Sequence, residues 1–148
     1  MTLRLIKADR SHLIQAALNL SKGDLEEFHC NIAGRDPLDV LPDSLDDTTH
    51  AIMLGSLVLA VGGTPDGCIW FVTTRIVEDL SKAQRMQFYR ILKGHLQEVR
   101  CRGNSLPFTN FVSKNNKGHI RLLESLGATF QSGHVMSPAG FQFKQFWL

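Results

Sequence analysis

Apolar residues along this chain switch repeatedly between a period of two and a period near 3.6. Leu3-Arg4-Leu5-Ile6 predicts a short first strand. Leu13, Ile14, Ala17 and Leu20 follow at helical spacing behind Asp9 or Ser11 as cap, and Ser21-Lys22-Gly23 breaks that helix. Asp24-Leu25-Glu26-Glu27 has capping-box spacing with acids in the first turn, which predicts a second helix ending at Gly34. Residues 35–48 hold Pro37, Pro42 and several aspartates, so they predict a loop with one helical turn.

Strand-like runs come next: His50–Leu54, Leu57–Val61 and Cys68–Thr74, separated by Gly55-Ser56 and Thr64-Pro65-Asp66-Gly67. In the third run Ile69, Phe71 and Thr73 alternate with Trp70, Val72 and Thr74. Both sets are largely apolar, which predicts a central strand covered on both faces. Ser81-Lys82-Ala83-Gln84 is a second capping box, opening the longest helix with a stripe of Met86, Tyr89, Leu92, Leu96 and Val99 and a stop at Gly103. Leu106–Val112 predicts another strand, with Pro107 at its start. A closing helix follows, and then a hairpin of Thr129–Met136 with Gly140–Leu148, whose Phe141, Phe146 and Trp147 are a candidate apolar contact patch.

The order β-α-α-β-β-β-α-β-α-β-β predicts a three-layer α/β/α arrangement on a mixed, mostly antiparallel sheet. A chain of 148 residues fits a single domain, 1–148. Sixteen basic against 14 acidic residues leave a net charge of +2, too small to argue for nucleic acid. The longest apolar run is far short of the ~20 residues that span a bilayer. Cys30, Cys68 and Cys101 form no C-x-x-C pair, and the histidines show no metal-ligand spacing, so no metal site is expected. An odd set of thiols without a secretory leader points to a soluble protein of a reducing compartment.

The closing helix narrows the picture. Asn116 precedes Ile120, Leu123 and Leu126 at helical spacing, and Gly127 sits where a left-handed residue ends a helix. This phrase resembles the last helix of the GNAT acetyltransferase fold, where a Tyr stands at the position of Leu123. The element order agrees with that fold. The resemblance implies an acetyl-CoA site built from three parts: a glycine-rich loop before the long helix for the pyrophosphate, the exposed edge of the fourth strand for the pantetheine arm, and the Tyr as general acid. Here the loop is Thr74-Arg75-Ile76-Val77-Glu78-Asp79-Leu80-Ser81, without glycine and with two acids. If acetyl-CoA binds at all, the resemblance places it on Val72, Thr73, Arg75 and Asn116. In that alternative Arg75, Lys82 and Arg85 pair with phosphate, and Asn116 with His119 or His134 handles protons. No catalytic residue is assigned, and no cofactor is expected.

A second resemblance covers residues 50–148. Leu59-Ala60-Val61-Gly62-Gly63, the run from Cys68 through Trp70-Phe71-Val72-Thr73, Leu80-Ser81 with Ala83 and Arg85, Asn116 with His119-Ile120-Arg121, and Gly127-Ala128 with Phe130 resemble small internal virion proteins of short-tailed phages. Those proteins are GNAT-like and lack the pyrophosphate loop at the same place. The resemblance implies a phage morphogenesis protein in the host cytoplasm or the virion. Its partners would be other phage virion or host proteins, reached through Asp36–Asp47 and the C-terminal hairpin, with room for a homo-oligomer. An acetyl-CoA-dependent N-acetyltransferase acting on a host or phage protein is the alternative.

Overall fold

The computed structural model of the chain describes residues 2–102 and 106–148. Four strands, β1 (Leu3–Lys7), β2 (His50–Leu54), β3 (Leu57–Gly63) and β4 (Trp70–Thr73), form one antiparallel sheet in chain order. A second antiparallel unit is built on β8 (Gln142–Trp147), which pairs with β5 (Thr109–Ser113) on one side and with the short β6 (Thr129–Phe130) and β7 (Val135–Met136) on the other. The two units meet at a parallel bridge between Cys68 and Thr109. Beyond that bridge β4 and β5 splay apart, so the sheet is mixed and mostly antiparallel.

Two apolar clusters lie on opposite faces. On one face, Phe88, Leu92 and Leu96 of α4 (Lys82–Arg102) and Leu123 of α5 (Lys117–Ser125) cover Ile52, Leu59, Ile69, Phe71 and Phe146. On the other, Leu13 and Ala16 of α1 (Arg10–Leu18), with Leu41, cover Ala51, Met53, Val58 and Val61. Trp70 and Val72 pack toward that second cluster, so both faces of β4 are covered as its alternation predicts. This is the three-layer α/β/α order expected from the element sequence.

Local chemistry accounts for most boundaries. Asp9 caps α1 in a reciprocal box with His12. Ser81 and Gln84 form the predicted box at the start of α4. Gly127, at φ +93°, ends α5 in a Schellman turn: its N–H donates to Glu124 O, and that of Ala128 to Leu123 O. Asp36 caps the single turn α3 (Pro37–Val40) inside the expected loop.

Several expectations need correction. Helix α2 (Lys22–Asn31) starts before Asp24, behind Ser21, so Asp24 and Glu27 do not form a cap. It ends at Asn31, ahead of Gly34, because Ile32 is already extended. Helix α1 ends at Leu18, so Leu20 lies beyond it, bridging Thr74 through its backbone while its side chain packs in the same cluster as Leu13 and Ala16. Met86 is exposed, and buried Phe88 takes its place in the α4 stripe. Leu106 is exposed and β5 begins only at Thr109. The stop at Gly103 lies outside the described residues. The C-terminal hairpin is interrupted at residues 131–134, where Gln131 Oε1 accepts from the Gln145 N–H at 2.6 Å in place of a continuous ladder. Phe146 and Leu148 close the core, which leaves Phe141 as the exposed aromatic of the patch, with Trp147 half-buried.

Candidate functional site at the splayed strands

In β4, Val72 faces Val61 within the ladder to β3, and the Thr74 N–H also reaches that strand, at Leu59 O. Alternation therefore turns the backbone groups of Ile69, Phe71 and Thr73 away from β3 and into the gap. By the same logic β5 turns those of Thr109, Phe111 and Ser113 toward β4.

At the narrow end the strands bridge the gap directly. The Ile69 N–H donates to Thr109 O at 3.2 Å. Asn110 then serves both sides: its Nδ2 donates to Ile69 O at 2.7 Å, and its Oδ1 accepts from the Phe111 N–H at 2.8 Å.

At the wide end α2 supplies the partners. Asp24 Oδ2 accepts from the Thr73 N–H at 2.8 Å and from the Thr73 hydroxyl at 3.0 Å. Glu27 Oε1 accepts from the Ser113 N–H at 2.8 Å. The Ser21 N–H donates to Thr73 O at 2.9 Å. Asp24 and Glu27 stand three residues apart, on one face of the helix. One acid thus holds β4 and the other holds β5.

The N-terminus of α5 locks this pair. Asn116 caps the helix by accepting from the His119 N–H, and its Nδ2 donates to Asp24 Oδ1 at 2.9 Å and to Glu27 Oε1 at 3.3 Å. His119 Nδ1 lies 3.4 Å from Asp24 Oδ1, with both side chains at most 10% exposed. Its ring stacks on Phe71, centroids 4.6 Å apart. Gly23 lets the helices approach: a Cβ there would stand 2.6 Å from Asn116 Oδ1.

Electrostatics follows from this packing. Burial opposes ionisation of Asp24, but the hydrogen bond and charge of His119, the Thr73 N–H and Asn116 bring its pKa below the ordinary carboxylate value. Burial dominates at Glu27 and holds its pKa up, against the pull of His119 and the Ser113 N–H. Burial disfavours the His119 cation, yet the Asp24 bond and the two carboxylates raise its pKa.

The cluster separates two cavities. One, of about 400 Å³, is lined by Phe28, Ile69, Phe71, Phe111 and Phe143 together with Glu27. The other, of about 650 Å³, lies between β4, α4 and α5, with Asp24, Thr73 and Asn116 in its wall. His119 borders both.

Of the sequence candidates, Thr73 and Asn116 are brought together through Asp24. Val72 is engaged with β3, and Arg75 lies exposed in a 3-10 turn, its N–H donating to Asn19 O at 2.9 Å. Arg85 donates to Glu78 O at 2.7 Å. His134 is exposed between β6 and β7. Leu123, at the tyrosine position, is fully buried, and Tyr89 donates its hydroxyl to Ser125 O of α5. Asp24 and Glu27 were missed as site residues; their inward spacing is the same as that of a capping box. Among the described residues no group of three His, Cys, Asp or Glu side chains could hold a metal, and no helix is long and apolar enough to cross a membrane.

The pattern of the family described as bacteriophage T7, probable scaffold protein Gp13, matches residues 48–135. The chain belongs to that family. It is 29% identical over 94 residues to the probable scaffold protein gp13 of Escherichia phage T7, a match covering 64% of this chain and 65% of that protein. The match therefore spans just under two thirds of the relative's length. Among solved structures, a GNAT-family acetyltransferase from Bacillus anthracis superposes with a TM-score of 0.65 at 8% identity, covering 99% of this chain and 93% of its own. The GNAT domain of S. lividans PAT gives 0.63 at 16% identity, covering 99% and 89%. The ribosomal-protein-S18-alanine N-acetyltransferase from Escherichia coli gives 0.60 at 15%, covering 99% and 92%. The fold is therefore that of GNAT proteins.

The residues present do not fit acetyl-CoA held in the manner of that fold. The outward N–H and C=O of Thr73, on the strand edge a pantetheine arm would use, are already bonded to Asp24 and Ser21. The loop before α4 is a 3-10 turn carrying exposed Glu78 and Asp79, and its capping box uses N–H groups at the helix start. Asp24 and Glu27 themselves lie outside the residues matched to the family.

Proposed function

We propose that this chain acts in phage virion morphogenesis by binding other phage or host proteins, with its GNAT fold kept as a rigid frame and without acetyl transfer or a cofactor. Family membership and the name of the T7 relative support the morphogenesis role. The observation that carries the loss of acetyl transfer is the double engagement of Thr73 by α2, which fills the strand edge with the chain's own groups. Buried Leu123 at the tyrosine position supports it further. The chain would work in the host cytoplasm during assembly or within the particle. Its contact surfaces would be the Asp36–Asp47 segment and exposed Phe111, Val135, Met136 and Phe141.

Calorimetry with acetyl-CoA and capture of bound proteins from infected cells test the two halves of the proposal. The expected results are no acetyl-CoA binding down to millimolar affinity and recovery of virion proteins. Micromolar binding with turnover would overturn the first half, and recovery of no virion protein the second.

One observation favours the alternative of an acetyl-CoA-dependent N-acetyltransferase. His119, bonded to Asp24 at the border of two cavities, has the makings of a proton-transfer group. That reading requires acetyl-CoA turnover that is lost in His119→Ala.

A further inference from the structure

The wide end of the β4–β5 gap sets one base against two acids. We infer that it is a proton-operated latch: with His119 charged, α2 stays bolted to both strands, and loss of that proton lets the bolt withdraw and the gap open. This goes beyond the morphogenesis reading and does not depend on it.

The geometry supplies the reason. Asp24 and Glu27 converge on one amide nitrogen, Asn116 Nδ2, so their carboxylates are close neighbours in a poorly hydrated place. Among the described residues, His119 is the basic side chain that forms an ion pair with either acid. The other charged groups bordering the adjoining cavity are Lys22 and Glu26 on α2, Glu78 before α4, Arg85 on α4, and Lys117 and Arg121 on α5. Apart from Glu26 and Glu78, which would add to the repulsion, these are cations on exposed residues, and Arg85 is already bonded to Glu78 O. In the other cavity the cation is half-buried Arg35, which lies over the Phe28 ring and forms no ion pair with Glu27 among the described residues. From the two strands, Thr73 and Ser113 bond the acids and Phe71 stacks on the His119 ring, and none of these is charged. A neutral His119 would therefore leave two facing carboxylates without a buried counter-charge.

What the bolt holds is equally specific. Asp24 carries the Thr73 N–H and Glu27 the Ser113 N–H, so its withdrawal frees one backbone donor on each side of the gap. The direction in pH follows from linkage. The His119 pKa is raised above the ordinary 6.5. The stability it contributes is complete below that value and is lost as pH rises through the raised pKa. The latch is shut in acid and opens toward alkaline pH.

Amide hydrogen exchange on the full chain, from about pH 6 to about pH 9 and corrected for intrinsic rates, tests this, with the His119 ring followed by NMR in the same samples. Protection at Thr73 and Ser113 should be flat below about pH 6.5, fall by up to about tenfold per pH unit from there to the raised His119 pKa, and level off above it. Val61 in β3 should keep its protection throughout. The His119→Gln variant should show the low protection at every pH. If that variant does not fold, the wild-type titration decides alone. The inference is overturned if Thr73 and Ser113 hold their protection while the ring loses its proton. It is equally overturned if they fall together with Val61, or if the ring stays charged across the whole range.

Discussion

The two ends of the gap between β4 and β5 are closed by different means. At the narrow end, Ile69 and Thr109 share a backbone hydrogen bond, and Asn110, a neighbour in sequence, tidies the remaining groups. At the wide end the strands are too far apart for each other, and groups from two helices stand in for the missing ladder. The first arrangement is neutral and joins residues about 40 positions apart. The second is charged and joins residues about 90 positions apart: Asn116 to Asp24 and Glu27. A splayed sheet leaves inward-facing backbone donors that cost free energy unless they are satisfied. Here the chain satisfies them itself, with groups carried by α2 and α5.

Removing the wide-end acid should have the largest effect. Asp24→Ala strands the Thr73 N–H and leaves His119 beside Glu27 alone, so a loss of about 3–5 kcal/mol is expected in chemical denaturation. Asp24→Asn keeps the shape and one acceptor and should cost distinctly less. If the two variants are equal, the shape and acceptor kept by Asn contribute nothing and the whole loss belongs to the charge of Asp24.

Gly23→Ala comes next. Its new methyl would press on Asn116 Oδ1 at 2.6 Å, so α2 or α5 must shift, at a cost of about 1–3 kcal/mol. Since Gly23 lies in a helix, where alanine is otherwise preferred, a stabilised variant would mean the approach at the wide end is looser than described.

At the narrow end, Asn110→Ala removes two neutral hydrogen bonds and should cost about 1–2 kcal/mol with little change in pH dependence. A pH profile altered as much as in His119→Gln would erase the distinction between the two ends.

The smallest effect concerns a second histidine environment. His95 on α4 faces His50 on β2, ring centroids 4.6 Å apart, and burial followed by the charge of His50 holds its pKa below 6.5. A base with a lowered folded pKa contributes stability above 6.5 that is lost as pH falls toward the folded value. Thermal melts of His95→Gln should therefore lose less stability than wild type between neutral and mildly acid pH. His119 has the opposite sign, and the two together should give a stability maximum near neutrality.

Much of the architecture was legible because its signals are short-range. The Ser81–Gln84 box, the Gly127 stop after Asn116, the apolar alternation along β4 and the turn at Pro65-Asp66-Gly67 each depend on residues a few positions apart. The errors cluster where distant groups override local preference. Thr129–Met136 has the composition of a continuous strand, but Gln131 spends its side chain on Gln145 and the run divides into β6 and β7. Met86 fits the helical stripe, yet the sheet it would have to reach is covered by Phe88.

Asp24 and Glu27 show the limit most clearly. An acid followed three residues later by glutamate reads the same whether it caps a helix or projects two carboxylates from one of its faces. Spacing, composition and capping chemistry determined from residues alone that a helix lies here and that the chain folds as an α/β/α sandwich; the GNAT type came from the resemblance of the Asn116-to-Gly127 phrase. Where that helix begins was settled by Ser21 donating to Thr73, a contact 52 positions away, and that contact turned the two acids inward. Whether a carboxylate meets water, a helix end or a buried histidine depends on what lies beside it in space, and the splay of β4 from β5 decided that.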